Sequence, residues 1–245
     1  MSAKQEIDDP RRKLLVHALS TGLLVGTLSP AQAITFGFLG GNLSKLPDTQ
    51  SIYRMSGDVK VNARAATLDT RIRPGDLVQT GRSSEIVFVV GTHSMILRED
   101  SRLNIDPPAG VVNSILIGGL RLLSGKLLSV SRNSAMRVTS ATATVGIRGT
   151  GFYIEADPEQ TYFCNCYGVA DVQAGNDLQS RETLRSTNHG RPVYILADGS
   201  SGGKIRNAPF INHTDQELAL IETLVGRERP FVFPRRTYSA PRRTY

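Results

Sequence analysis

Apolar and polar positions alternate with a period of two through most of this chain, in short runs. Such runs cover residues 57–61, 86–90, 94–97, 103–105, 120–123, 126–130 and 137–139. They continue at 142–147, 152–155, 161–167, 170–173 and 194–196. Each reads as a strand, because successive side chains of an extended backbone point to opposite faces. Clusters of Gly, Asp, Ser and Asn separate most of them. Many short strands at this spacing predict an all-β fold, a multi-stranded roll or sandwich. Gly91–Ser94, Ser124-Gly125 and Asp198-Gly199 lie between strand-like runs and predict hairpin turns. The stretch 140–154 is small, β-branched and alternating, and Gly146, Gly149 and Gly151 interrupt it. Glycines inside such a run predict bulges or close backbone crossings.

One segment has the helical period instead. Leu218, Ile221, Leu224 and Val225 fall on one stripe. Thr214 and Glu217 have the spacing of a capping box, and Gly226 suits the position after the last turn. A helix over 214–226 is expected, its stripe packed on the β body.

Composition adds bounds. The chain has 245 residues, 40% hydrophobic and 6% aromatic, with 23 Gly, 12 Pro and no Trp, which suits strands and turns over a helical bundle. Its net charge of +7 sits mainly at one end: residues 227–245 hold six Arg and one Glu. Residues 1–33 hold four Lys/Arg and three Asp/Glu, so the body between carries only +1. That distribution, with no nucleic-acid-binding motif, argues against nucleic acid as a partner. The tail 227–245 repeats Pro-Arg-Arg-Thr-Tyr and is expected to be disordered.

Arg11-Arg12-Lys13, an apolar run over 14–28 and Ala31-Gln32-Ala33 make residues 1–33 an export signal. The paired arginines fit a twin-arginine signal as well as an ordinary secretory one. The mature chain would begin near Ile34 and work in the periplasm or as a secreted protein, with no integral membrane span. Residues 34–50 read as irregular, 51–175 as the β domain, and 176–226 as a C-terminal extension ending in the helix.

Three motifs in order give the β domain a family likeness: Gly-Asp-Leu-Val-Gln-Thr-Gly (75–81), Gly-Lys-Leu-Leu-Ser-Val (125–130) and Arg-Gly-Thr-Gly-Phe (148–152). Together with the flanking strands from about Ile52 to Gln173, they resemble the FecR-like domain, an extracytoplasmic β module. The resemblance implies a non-catalytic domain that binds a ligand or an envelope partner. The chain departs from the founding signal transducers, because only a signal-like segment precedes the module, so sigma-factor binding is not expected. Within the motif, Pro74-Gly75-Asp76 predicts a turn in which Asp76 accepts nearby amides. Gly149 would let two strands approach, and Thr150 would cap a backbone group. Arg148 would pair with a carboxylate such as Asp76 or face an anionic ligand. Arg148 and Thr150 are thus candidate partner-binding residues.

The chain's two cysteines form Cys164-Asn165-Cys166 within one apparent strand, so both thiols share a face. Four readings stay open: buried structural thiols, a disulfide, a metal site, and a redox or cofactor-attachment pair. Extended geometry opposes the disulfide. A metal site would use Cys164 and Cys166 with His189, His213 or both, which suits zinc, copper or iron. No cofactor is the alternative expectation. If the signal is twin-arginine, folding before export would allow a centre to be loaded in the cytoplasm.

The histidines have plainer readings too. His93 lies in a hairpin turn and His189 in a polar loop, where exposure is the ordinary state; His213 would orient the start of the helix. Glu99-Asp100, Glu155, Asp157 and Glu159 read as solvated carboxylates. No nucleophile elbow, phosphate loop or dinucleotide fingerprint is present, so an enzyme is not expected.

Overall fold

The structure is a computed structural model, and it describes residues 44–111, 116–175, 177–198 and 203–228, without the side chains of 132–134. The segment 1–33 expected to be an export signal, most of the segment 34–50, Gly199 and the residues beyond 228 lie outside the described residues.

Among the described residues, thirteen strands form one antiparallel system. They are β1 (Ile52–Ser56), β2 (Val59–Val61), β3 (Arg64–Ala65), β4 (Leu77–Thr80), β5 (Glu85–Val90), β6 (His93–Leu97) and β7 (Arg102–Asp106). Then come β8 (Gly119–Thr139), β9 (Ala143–Ala156), β10 (Gln160–Ala174), β11 (Arg181–Ser186), β12 (Val193–Leu196) and β13 (Ile205–Asn207). Among the described residues, a helix, α1 (Asp215–Leu224), follows β13. The fold is all-β with a C-terminal helix, as the alternation predicts. The main path runs β13-β12-β10-β9-β8-β7-β4-β2-β3; β1-β5-β6 joins at β8, and β11 joins at β10.

The centre is built from β8, β9 and β10, of 21, 14 and 15 residues. Each absorbs two or three of the shorter runs expected from sequence. The predicted turn at Ser124-Gly125 is not a turn. β8 passes through it, pairing with β7 on one side and β6 on the other. Gly125 has φ +87°, and a Cβ there would lie 2.5 Å from the Ser101 Cα. The glycine permits a change of partner within a continuing strand. The Gly91 turn does close a hairpin, with Val90 opposite His93. Strands β1, β3, β4, β11 and β13 are additions that short or weakly alternating runs did not reveal.

The long strands are buried on both faces over residues 127–131, 150–156 and 161–167, which makes two hydrophobic cores, and expose one face elsewhere. Phe88, Leu97, Leu127, Phe152, Ile154 and Phe163 belong to the first. Their immediate neighbours Val87, Ile96, Leu128, Tyr153 and Cys164 belong to the second. α1 covers this second face with Leu218, Leu220, Ile221 and Leu224. Its start is fixed as the spacing predicts. Glu217 N donates to Thr214 Oγ1 at 3.2 Å, and Thr214 N donates to Glu217 Oε2 at 2.9 Å. Gly226 follows the helix at φ +68°.

Candidate metal centre

Cys164 and Cys166 sit on β10 and face the second core, both fully buried. The strand is irregular at this point. Asn165 pairs with Phe152 and Tyr167 with Gly151, so Cys166 is skipped in the β9–β10 register. β12 pairs with β10 as far as Phe163, and β11 begins to pair only at Gly168. The β10 edge is therefore open between them. The segment after β11 fills this gap: His189 N and Ser186 Oγ donate to the Cys166 carbonyl at 2.9 and 3.3 Å. His189 adopts φ +47°, a left-handed bend over the strand. His213 lies just before the Thr214 cap of α1.

The four side chains converge. Cys164 Sγ lies 3.6 Å from His189 Nδ1, and Cys166 Sγ lies 3.4 Å from His213 Nε2. The two ring nitrogens are 3.2 Å apart. All four donor atoms lie within 4.8 Å of one another. His189 is 8% exposed and His213 1%, so the expected exposure of His189 is corrected. The reason is local: the gap in the β10 edge draws the loop inward. His213 does lead into the helix cap, and it also faces the thiols.

The outer nitrogens are occupied. His213 Nδ1 lies 2.7 Å from the Ile211 carbonyl, which can only accept, so Nδ1 carries the proton. His189 Nε2 lies 2.9 Å from Asp215 Oδ1 and donates to that carboxylate. Both inner nitrogens then present lone pairs to each other and to the sulfurs. A proton or a cation between them relieves that repulsion.

The thiol charges are set unequally. Burial pushes the Cys164 thiol up, but its contacts with Cys166, His189 and His213 outweigh it and hold its pKa well below the ordinary value. The Cys166 thiol is raised well above its ordinary value by burial, and then by the hydrogen bond and charge of Cys164. Burial opposes charge on His189 as well, yet Cys164 and Asp215 raise its pKa.

Three of the donor–donor distances, 3.2–3.6 Å, are close to what a tetrahedral ion needs. Bonds of ~2.0–2.3 Å to nitrogen and sulfur put neighbouring donors roughly 3.3–3.8 Å apart. One ion could be shared by all four, whereas a two-iron cluster needs its donors spread wider. Aromatic rings close the surroundings. The Phe210 ring centroid lies 4.4 Å from His189 and 4.5 Å from His213, and Tyr153 stacks on His213 at 4.6 Å. Both cysteines are free thiols, in keeping with the extended geometry that opposes a disulfide between them.

The other candidates are not part of this cluster. Arg148 Nη2 lies 2.9 Å from Asp171 Oδ2, with the side chains 65% and 48% exposed. Its partner is therefore not Asp76, which accepts from Asn62 Nδ2 and Arg73 N at 2.7 Å each and so fixes the predicted turn. An exposed pair of this kind contributes little. Thr150 caps no backbone group: its hydroxyl is buried with no hydrogen-bond partner among the described residues. Gly149 faces open space, and the close crossing is at Gly151, where a Cβ would lie 2.4 Å from the Tyr167 ring.

Three other sequence expectations need correction or addition. His93 is buried at 3% exposure, not solvated, because β8 covers the hairpin. Glu155 is also buried and accepts from the Tyr153 hydroxyl at 2.8 Å. Asp215 and the Ile211 carbonyl had no sequence signal of their own, since an acidic residue in a first helical turn is ordinary.

No family model and no curated protein matches the chain. Among solved structures, it is similar to two crystal structures of a candidate anti-sigma factor from Parabacteroides distasonis, at 2.50 and 1.65 Å resolution. Each is 12% identical with a TM-score of 0.41. The first covers 60% of this chain and 73% of its own, the second 62% and 76%. At that distance the likeness assigns no role.

Proposed function

We propose that this chain is a metal-binding protein in which Cys164, Cys166, His189 and His213 hold one transition-metal ion, Zn(II) foremost, as a closed structural centre. The observation that supports this is the convergence of four buried soft donors, with the outer nitrogen of each imidazole already engaged. Two thiolates and two neutral imidazoles are the donor set of structural zinc. Four protein donors fill a tetrahedral ion and leave no position for substrate, so the reading is non-catalytic. The ion would cross-link β10, the loop after β11 and the start of α1.

The rest of the reading follows the resemblance. The chain is taken as an exported, FecR-like domain that binds a ligand or partner at the cell envelope. In that oxidising compartment a bound ion would also keep two neighbouring thiols from oxidation.

Metal analysis of protein exported from a native-like host tests the centre. One ion per chain is expected, lost when Cys164 and Cys166 are both changed to Ser, with a lower melting temperature. Sub-stoichiometric metal, together with unchanged melting of the double variant, would leave only a pair of packed thiols.

A further inference from the structure

We infer that Asp215 is the positioning residue of this centre: its carboxylate fixes the tautomer and ring orientation of His189 so that Nδ1, not Nε2, faces the ion. The inference rests on the metal reading above.

Three observations carry it. First, the Asp215–His189 contact is a 2.9 Å hydrogen bond between side chains only 1% and 3% exposed, so water does not compete for either group. An ionised carboxylate only accepts, which places the ring proton on Nε2 and the lone pair on Nδ1. Second, the two imidazoles enter by different nitrogens. His213 turns Nε2 inward because the Ile211 carbonyl holds its Nδ1. His189 must turn Nδ1 inward to reach Cys164, and among the described residues Asp215 is what holds its Nε2. Exchange of the His189 tautomer would aim an N–H at the sulfurs and the ion.

Third, the other oxygen of Asp215, Oδ2, is buried with no hydrogen-bond partner among the described residues. A half-satisfied carboxylate in an apolar interior is costly. Its placement makes sense if positive charge stands close by. Asp215 opens α1, so the positive end of the helix dipole provides part of that charge. An ion on the far side of the His189 ring would provide more, and the carboxylate in turn makes the imidazole a stronger donor.

The same residue could be read as a helix-start acid alone. That role predicts lower stability of the metal-free protein and an unchanged affinity for the ion. The two are separated by measuring Zn(II) affinity against a competing chromophoric chelator, on the full chain, for wild type, Asp215→Asn and Asp215→Ala. Co(II) spectra are recorded in parallel. Losing an outer partner of a ligand typically weakens binding ~10–100-fold. The Ala variant should fall in that range. The Asn variant keeps an oxygen that can accept from Nε2 but loses the charge, so it should fall between Ala and wild type. The Co(II) band of a tetrahedral thiolate site should persist in Asn and shift in Ala, as His189 is freed to rotate. If Ala does not fold, the isosteric Asn variant decides on affinity alone. Wild-type affinity in a folded Asp215 variant would overturn the inference while leaving the centre. Failure of wild type itself to bind Zn(II) would overturn the metal reading.

Discussion

The His93 imidazole lies in the β5–β6 hairpin against β8, 3% exposed, and its Nδ1 has no hydrogen-bond partner among the described residues. Burial, and then the positive charge of Arg227, push its pKa down from 6.5 to about 4. In the unfolded chain His93 takes up a proton once pH falls below 6.5; in the folded chain it resists until about 4. Stability from this residue is therefore full above pH 6.5 and is lost progressively between 6.5 and 4. The displacement corresponds to roughly 3 kcal/mol at most. His93→Gln should flatten the stability-against-pH curve in that window relative to wild type, in denaturant titrations at several pH values. Equal slopes for the two proteins would mean that His93 is hydrated. Comparing the two cancels the acid release of any bound ion, which both share.

Among the elements, the long strands depend on a few backbone positions more than on their apolar content. Gly125 and Gly149 both have positive φ within strands, at +87° and +60°. They differ in what surrounds them. A methyl at Gly125 would meet Ser101 backbone and side chain, whereas at Gly149 it would point into open space. Gly149→Ala should cost only the backbone strain, on the order of 1 kcal/mol, while Gly125→Ala adds a steric clash and should exceed ~3 kcal/mol. Urea midpoints of the two variants check the ranking, and near-equal losses would show that β8 can shift away from Ser101. The same strands show what the sequence can reveal. Alternation located β2, β5 to β10 and β12 but not β1, β3, β4, β11 or β13, and the capping box located α1. Alternation could not show that 120–130 is one strand, because Ser124-Gly125 has the composition of a turn and only its tertiary neighbour Ser101 decides otherwise. Cys164 and Cys166 could be placed on one face from spacing alone. His189 and His213 could be named as candidate partners by residue type, but that His189 reaches the thiols could not be read, since the gap between β11 and β12 on the β10 edge is a property of pairing.

At the scale of the whole molecule, the proposed ion and α1 act together. The three segments it would join carry residues 164–166, 189 and 213, so the loops it would close are long. α1 is tied to the β body at both ends. Near its start, Arg98 donates to Glu217 Oε1 at 2.8 Å and to the Asn212 carbonyl at 3.0 Å. Near its end, the Tyr167 hydroxyl donates to buried Glu222, which also accepts from Arg227 Nε at 2.8 Å. The end contacts do not involve the ion; the start is held partly through Asp215 and His189. Removing the ion should therefore loosen the molecule unevenly. Ligand binding stabilises by about 2.7 kcal/mol when free ion is 100-fold above its dissociation constant. For a domain of this size that corresponds to a melting shift of roughly 5–10 °C on chelation. Hydrogen exchange after chelation should show the first loss of protection in the His189 loop and the first turn of α1. The amides of β8 and β9 should keep theirs, because their ladders do not pass through the centre. Chelation that removes bound ion yet leaves the His189 loop as protected as before would mean that packing by Phe210 and Tyr153 holds the segment by itself. Protection lost evenly across β8, β9 and α1 would instead make the ion a determinant of the whole fold, with no separable cross-link at its C-terminal end.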